Sequence, residues 1–263
     1  MVLRYVEQAG RRTLGGLDEV GRASSLLGES LFWTLLGRRW RQPVRAHAVI
    51  AQMMQIGIAA VPITTLLATA IGVMLAVQSL YSLGLFGAES FAHVGIALSL
   101  TREFAPLIVG ILIAGRSGSA LAARISTMSI NQEVDALRAI GINPVRFLVA
   151  PALVAMLVML PALTMWANLV ALSAAGLFVS ASLDVTLAAY TSNIMSVLGP
   201  SDVLQGLGKS VLFAILIVIV AALNGSRVTG GAEGVGRVTT RSVVHSISAI
   251  VLADVVFGYL ATQ

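Results

Sequence analysis

Five long apolar stretches dominate this 263-residue chain and restrict the folds that are open to it. They lie at about 57–80, 92–114, 147–179, 206–223 and 243–261, and each is close to or above the roughly 20 residues that cross a bilayer core. Backbone groups in lipid must form their hydrogen bonds within the segment, so such stretches become helices. With 57% hydrophobic and 11% charged residues, the chain is predicted to be an all-α integral membrane protein with five transmembrane helices.

The basic residues outside these stretches predict the topology. Eight arginines precede the first stretch, and others fall in 115–146 and 224–242, whereas 81–91 and 180–205 contain no Lys or Arg. The positive-inside rule therefore places the N-terminus and both arginine-bearing connections in the cytoplasm, with the C-terminus on the opposite side of the membrane. Because membrane orientation accounts for the excess of basic residues behind the net charge of +5, we expect no nucleic-acid partner.

Residues 1–50 are predicted to form a cytoplasmic or interfacial segment that precedes a transmembrane domain at 51–263. An apolar stripe at helical spacing favours an amphipathic helix in the membrane interface, with its arginines near anionic headgroups. A cytoplasmic helix packed on the bundle is the alternative. The stripe consists of Leu14, Leu17, Ser24, Leu27 and Leu31, and the charged residues off it are Arg11, Arg12, Asp18, Glu19 and Arg22.

Four charged residues stand in stretches that otherwise read as membrane spans. Arg102 and Glu103 lie in the second span, Lys209 lies near the start of the fourth, and Asp254 lies in the fifth. Charges at bilayer depth are expensive, so they face a bundle interior or a wet cavity and find partners. We predict one balanced cluster of two cations and two anions. Its role stays open between a structural ion-pair cluster and a gating, headgroup-binding or proton-relay function.

Two glycine-rich segments resemble phosphate-binding loops without meeting their requirements. GLGKS at 206–210 has the end of a P-loop, but Val203 stands where the motif needs glycine, and a membrane span follows. GGAEGVGRVTTRS at 230–242 is expected to be a flexible cytoplasmic turn rather than a phosphate cradle. We therefore expect no ATP site on this chain.

The sequence also lacks the motifs and residue spacings that are typical of catalytic or metal-binding sites. GRSGS at 115–119 differs from the GxSxG nucleophile motif at its last residue, and the chain has no cysteine. His47, His93 and His245 do not have the spacing of metal ligands. We expect a non-catalytic subunit without a metal, and an intramembrane lipid-modifying enzyme finds no support.

A short polar segment, NQEVDALRAIGINP at 131–144, separates the second and third spans. Apolar residues at helical spacing within it, from Ile130 to Gly141, predict a short amphipathic helix across the cytoplasmic face. Gly141 suits the C-terminal end of a helix, and Pro144 discourages continuation. The stripe is Ile130, Val134, Leu137 and Gly141, and the exposed polar residues are Gln132, Glu133, Asp135 and Arg138.

Four segments, in chain order, make the sequence resemble the MlaE/YrbE family of ABC-transporter permeases, the membrane subunits of Mce-type lipid transport systems. They are SLTREFAPLIVGILIAGRSGSALAARI (99–125), EVDALRAIGINPVRFLVAPAL (133–153), GLGKSVLFA (206–214) and GVGRVTTRSVVHSISAIVLADVV (234–256). The resemblance covers most of the chain from about residue 57 onward.

This resemblance implies a bacterial inner-membrane homodimer with several partners. The 131–144 helix would be the coupling helix that docks on a separate cytoplasmic ABC ATPase, which would bind ATP and Mg. Arg102, Glu103, Lys209 and Asp254 match charged intramembrane positions of relatives. A periplasmic Mce-domain protein is expected, and a STAS-domain protein accompanies some of these systems. The residues that match the lipid-cavity lining at the dimer interface are Leu75, Gln78, Leu83 and Phe86.

The predicted function is lipid movement between the inner membrane and the Mce-domain protein, with phospholipid as the expected cargo. NQEVDAL and TGGAEGVG depart from phospholipid-trafficking members, so the lipid and the direction of transport stay open. The alternative is a proton-coupled secondary transporter of a hydrophobic substrate, in which Glu103 and Asp254 form the relay.

Overall fold

A computed structural model describes the backbone of residues 2–37 and 44–261, and the side chains of residues 18–37 and 44–261. The chain is about 90% helical, and the described residues form no strand. Five helical segments are long and apolar enough to cross a membrane, which confirms the predicted all-α architecture with five spans. They are Ala46–Gly84, Glu89–Ile130, Val145–Leu183, Pro200–Gly225 and Gly231–Ala261.

The first span begins earlier than hydropathy predicted. Helix α1 is Val2–Leu36, and the span consists of α2 (Ala46–Ile56), a 3₁₀ turn and α3 (Val61–Gly84). Helix α2 has the more polar sequence AHAVIAQMMQI and packs against the third span. The predicted start at residue 57 falls at the turn between α2 and α3, because α3 is the more apolar of the two helices.

The second span is one long segment interrupted by two wide helical turns. It contains α4 (Ala92–Ser99), α5 (Ala105–Ile113) and α6 (Ser119–Ile130). Leu100–Phe104 and Ala114–Gly118 are π-helical and connect them. The helix therefore continues to residue 130, sixteen residues beyond the end predicted at residue 114. Hydropathy did not indicate this part of the helix because α6 is less apolar than α5.

Helix α7 (Glu133–Ala139) follows, then a π-helical turn at Val145–Val149 and α8 (Ala150–Leu183). Two of the three π turns precede a proline, Pro106 or Pro151. A proline ring clashes with the carbonyl four residues earlier, and here both of those carbonyls lie within the π turns. The wider turn relieves the clash without breaking the helix.

Helix α9 (Leu187–Val197) is an element that the sequence interpretation missed. It lies in the connection at 180–205 and begins after Thr186, whose hydroxyl accepts a hydrogen bond from the Ala189 N–H at 3.3 Å. Tyr190 on α9 is buried and lies against Gly176 of α8. Its eleven residues are too few to cross a bilayer.

Helix α10 (Pro200–Gly225) and helix α11 (Gly231–Ala261) complete the bundle and pack against each other. The expectation of a flexible turn at 230–242 is wrong, because α11 begins at Gly231. Gly230 and Gly231 have positive φ angles of 88° and 66° and form the turn between the helices. The following segment becomes helical, with an ion pair between Glu233 and Arg237 at spacing i, i+4.

Close backbone contacts join the spans around a core centred on α8 and α10. A methyl group built on Gly72 of α3 would lie 2.2 Å from the Ala171 carbonyl oxygen of α8. One built on Gly206 of α10 would lie 2.3 Å from the Thr101 carbonyl oxygen. Small residues at such crossings allow the close approach on which membrane helix packing depends. The largest buried side chains on α8 and α10 include Leu153, Met156, Leu160, Phe213 and Ile217.

The end of α1 packs on the bundle through a face that shares Leu27 with the predicted stripe but otherwise differs from it. Leu26 and Leu27 contact the core and Ser30 is fully buried, whereas Leu31, like Ser24, is exposed. The difference arises because Glu29, one turn before Trp33, accepts a hydrogen bond from Asn143 Nδ2 at 2.6 Å, which fixes the rotation of the helix. Leu14 and Leu17 lie outside the residues whose side chains are described.

Candidate functional site

Lys209 is the centre of an ion cluster inside the bundle. Its side chain is completely buried, and its Nζ contacts the Glu103 carboxylate and lies 2.9 Å from Asp254 Oδ1. The Phe257 ring lies 6.0 Å from the same nitrogen. The two carboxylates differ in environment, because the Glu103 side chain is 45% exposed and that of Asp254 only 15%. Three predicted charged residues therefore meet directly, from α10, α11 and the first π turn.

Arg102, the fourth predicted member, pairs instead with Asp202. Its Nε donates a hydrogen bond to Asp202 Oδ1 at 2.7 Å, and its Nη2 contacts the same oxygen. The Asp202 side chain is only 5% exposed, while that of Arg102 is 41% exposed. The π turn at Leu100–Phe104 presents Arg102 to Asp202 and Glu103 to Lys209, and both partners lie on α10.

Asp202 is a residue that the sequence interpretation missed, and it changes the formal charge of the predicted cluster. With it, the group holds two cations and three carboxylates instead of two of each. The sequence signal at Asp202 was ambiguous, because an acidic residue after Gly199-Pro200 is typical of a helix start. The structure shows that role too, since the Gly199 N–H donates to Asp202 Oδ2 at 2.8 Å.

Helix α7 projects the polar residues of the 131–144 segment away from the bundle. Gln132, Glu133, Asp135 and Arg138 are all exposed, and Asp135 pairs with Arg138 at 3.0 Å. The helix is shorter than predicted and covers Glu133–Ala139, because Gln132 has a left-handed backbone (φ 59°) that separates it from α6. Its end is as expected, since Gly141 has φ 77° and its N–H donates to the Arg138 carbonyl. Both ends of α7 are tied to membrane spans through short turns.

The four predicted lipid-cavity residues lie at the far end of α3 or just after it. Leu75 and Leu83 pack against the core, whereas Gln78 is exposed and Phe86 is 82% exposed. Gln78 Nε2 donates to Ser82 Oγ at 3.2 Å. A cavity lined by all four would therefore need a second surface to close it.

The described residues contain no cluster of metal ligands, and their P-loop-like segment is helical. No group of three or more His, Cys, Asp or Glu side chains within them could hold a metal ion. GLGKS at 206–210 lies inside α10, and Lys209 is engaged by carboxylates, so this segment has no loop that could surround a phosphate.

Comparison with known proteins identifies the family that has this architecture. The family model described as Permease MlaE matches residues 49–260, which include α7 and nearly all of the five spans. The chain belongs to the MlaE permease family. The family resemblance seen in the sequence is thereby confirmed.

Two bacterial relatives of this MlaE-family permease match it along nearly their whole length, and a plant relative matches over about two thirds of its own length. A probable ABC transporter permease protein of Rickettsia felis is 32% identical over 263 residues, covering 100% of this chain and 98% of the relative. A probable ABC transporter permease protein of Synechocystis is 33% identical over 239 residues, covering 90% and 89%. The chloroplastic protein TRIGALACTOSYLDIACYLGLYCEROL 1 of Arabidopsis thaliana is 29% identical over 234 residues, covering 89% of this chain and 65% of that protein.

The family assignment also indicates how such a membrane subunit is powered. An ABC transporter permease implies a partner ATPase, and a non-catalytic membrane subunit is consistent with this family. The candidate machinery on this chain is therefore the α7 helix, the ion cluster and the exposed end of α3 within a multi-pass membrane protein.

Proposed function

We propose that this chain is the membrane subunit of an ABC transporter that moves lipids, with phospholipid as the expected cargo. The observation that carries the proposal is α7, a solvent-facing helix with two acidic residues whose ends are both joined to membrane spans. A protein that docks on α7 can move those spans directly, because fewer than ten residues separate α7 from α6 or from the start of the third span. ATP and Mg would be bound by the partner ATPase.

Lipid cargo is supported by the apolar surface that the single chain leaves open. Large apolar residues on and just after α3 are exposed, and this span is among the least buried. One relative carries the name of a glycolipid, trigalactosyldiacylglycerol. The exposed set includes Leu66, Met74, Val77, Tyr81, Leu85 and Phe86.

A homodimer is the arrangement we propose for this surface. Five spans are few for enclosing a lipid-sized path, and two copies related by a two-fold axis would place the same α3 face on both sides of a shared cavity. Leu75, Gln78, Leu83 and Phe86 would then line a mostly apolar space for acyl chains. ATP-driven closure of two ATPases would push the α7 helices and open or collapse that space.

The proposed location is the bacterial inner membrane, with α7 and the N-terminus cytoplasmic and the C-terminus periplasmic. The arginine distribution supports this orientation. A periplasmic Mce-domain protein would receive or deliver the lipid at the end of the bundle opposite α7, where α3 and α8 end. Helix α8 alone, with 34 residues, is about 50 Å long, which separates the two ends across the membrane.

Charge reversal on α7 tests this proposal. Glu133→Lys with Asp135→Lys removes the acidic face, and the only described ion pair that it breaks, Asp135–Arg138, is highly exposed and contributes little to stability. We expect the variant to insert normally and to lose co-purification with the ATPase. Glu89→Lys with Asp184→Lys makes the same charge change at the opposite end and should keep the ATPase.

Undiminished ATPase association in the α7 variant would contradict a docking role for this helix. Loss of the ATPase in both double variants would show that charge reversal disturbs assembly without regard to place. Co-purification from native membranes, with circular dichroism to confirm folding, measures both.

A further inference from the structure

A basic cavity lies beside α2 at the end of the bundle that carries α7. It consists of two adjoining spaces of about 300 and 260 Å³, and both are lined by Gln52, Gln55 and Arg124. Helix α2 forms one wall, α6 a second, and the beginning of the third span a third. Each space is near the lower end of the volumes of small-molecule sites.

Four arginines from separate parts of the chain converge on this basic cavity. Arg45 precedes α2, Arg116 lies in the second π turn, Arg124 lies on α6, and Arg146 lies in the third π turn. No acidic residue lines either space among the residues that the structure describes. The concentration of positive charge makes the cavity attractive to an anion.

Three of these arginines have no carboxylate partner within the described chain. The Arg116 Nη1 donates to the Gln55 carbonyl at 3.1 Å, and Arg45 lies over the Phe147 ring at 5.3 Å. Arg124 forms no ion pair with a described residue. By contrast, Arg22, Arg138, Arg227 and Arg237 each pair with a carboxylate. The positive charges of Arg45, Arg116 and Arg124 repel one another across the cavity, and a bound anion would offset that repulsion.

The rest of the cavity wall favours a membrane lipid over a soluble anion. Phe147, Pro151 and Met156 contribute apolar surface below the arginines. Helix α2 lines the cavity with one face, while Ile50 and Met54 on its other side are 59% and 52% exposed, as expected of a helix in contact with lipid. A free phosphate would need only the arginines. A lipid would place its phosphate among them and its glycerol and first methylenes on the apolar wall.

We propose that the basic cavity binds the phosphate of an anionic lipid in the leaflet nearest α7. Arginine suits this role because its planar guanidinium donates paired hydrogen bonds to phosphate oxygens. A bound headgroup would connect α2 to α6 and to the start of the third span, the two segments between which α7 lies. The site is separate from the α3 surface, so it does not depend on which lipid the permease carries.

Binding of spin-labelled phosphatidylglycerol, compared with spin-labelled phosphatidylcholine, tests the proposal. The full chain, with its ATPase if that co-purifies, is placed in phosphatidylcholine bilayers, and the motionally restricted lipid is measured by electron paramagnetic resonance. We expect Arg124→Gln to lower the apparent affinity for phosphatidylglycerol about fivefold, the change that corresponds to about 1 kcal/mol for one arginine near an anionic surface. Arg241→Gln is the matched control, because Arg241 is exposed on α11 and does not line the cavity.

Equal affinity in the Arg124→Gln and Arg241→Gln variants would overturn the proposal. Displacement of the labelled lipid by inorganic phosphate would overturn it in favour of a soluble anion. Unchanged lipid binding with loss of the ATPase in Arg124→Gln would assign the cavity to a protein contact instead. If Arg124→Gln does not fold, Arg45→Gln replaces it, since Arg45 is exposed and should give the same selective loss.

Discussion

Replacing Lys209 with methionine tests the ion cluster most sharply. Lys209 is the cation in contact with both Glu103 and Asp254, and it is completely buried. Lys209→Met keeps the side-chain length but leaves two neighbouring carboxylates without their cation. Breaking a buried ion pair in this way destabilises a protein by about 3–5 kcal/mol. Because Glu103 is partly exposed and keeps some hydration, we expect the lower end, about 3 kcal/mol.

Neutral replacement of one of the two carboxylates should destabilise the chain less than Lys209→Met does. Glu103→Gln or Asp254→Asn leaves Lys209 with one remaining carboxylate, so each should lower the free energy of unfolding by less than about 2 kcal/mol. The triple variant, with Lys209→Met, Glu103→Gln and Asp254→Asn together, removes all three charges. Neutral replacement of a whole buried ion group is often tolerated, so the triple variant should recover most of the stability that Lys209→Met loses.

Unfolding by sodium dodecyl sulfate in mild detergent micelles, followed by circular dichroism, measures these differences. If Lys209→Met destabilises no more than Asp254→Asn, or if the triple variant is as unstable as Lys209→Met, the reasoning is refuted. Lipid transport by a stable triple variant then separates the two roles that the sequence left open. Full transport would assign the cluster to helix packing, and lost transport would assign it to the transport step.

Three further predictions concern other described contacts. Gly72→Ala should destabilise the chain by about 1–3 kcal/mol in the same unfolding assay, because its methyl group would enter the α8 backbone, whereas Gly95→Ala, with open space around it, should not. Arg102→Gln should destabilise more than Asp202→Asn, because it leaves the more deeply buried partner unpaired; the reverse order would contradict the pairing. Burial raises the pKa of Tyr190 from 10.0 to about 12, so stability should fall as pH rises from 10 toward 12, and it should fall less steeply in Tyr190→Phe. Equal pH dependence in both would show that Tyr190 is not the group responsible.

The sequence predicted the features that depend on hydropathy and charge, and it missed those that depend on local backbone geometry. Five spans were visible because apolar runs of bilayer length are unambiguous. Helix α9 was not, because eleven mixed residues in a connection give no such signal. The start of α11 was also misjudged, since four glycines between residues 230 and 236 suggested a turn, whereas Gly234 packs closely against the Thr229 carbonyl.

The candidate site shows the same division. Lys209, Glu103 and Asp254 could be predicted to meet, because each is a charge with few alternatives inside an apolar helix. The partner of Arg102 could not, because Asp202 stands at a helix start where an acidic residue already has a capping role. The basic cavity could not be foreseen either, since it depends on π turns that present Arg116 and Arg146 toward α2.

The central claim is that this MlaE-family permease moves lipid with energy from a partner ATPase. The most direct test is transfer of a fluorescent phospholipid in proteoliposomes that contain the chain and its co-purified ATPase. We predict that transfer begins when Mg-ATP is added, continues in the presence of a protonophore, and is absent without nucleotide. Transfer that needs no nucleotide and stops when the protonophore is added would contradict the claim and favour a proton-coupled transporter.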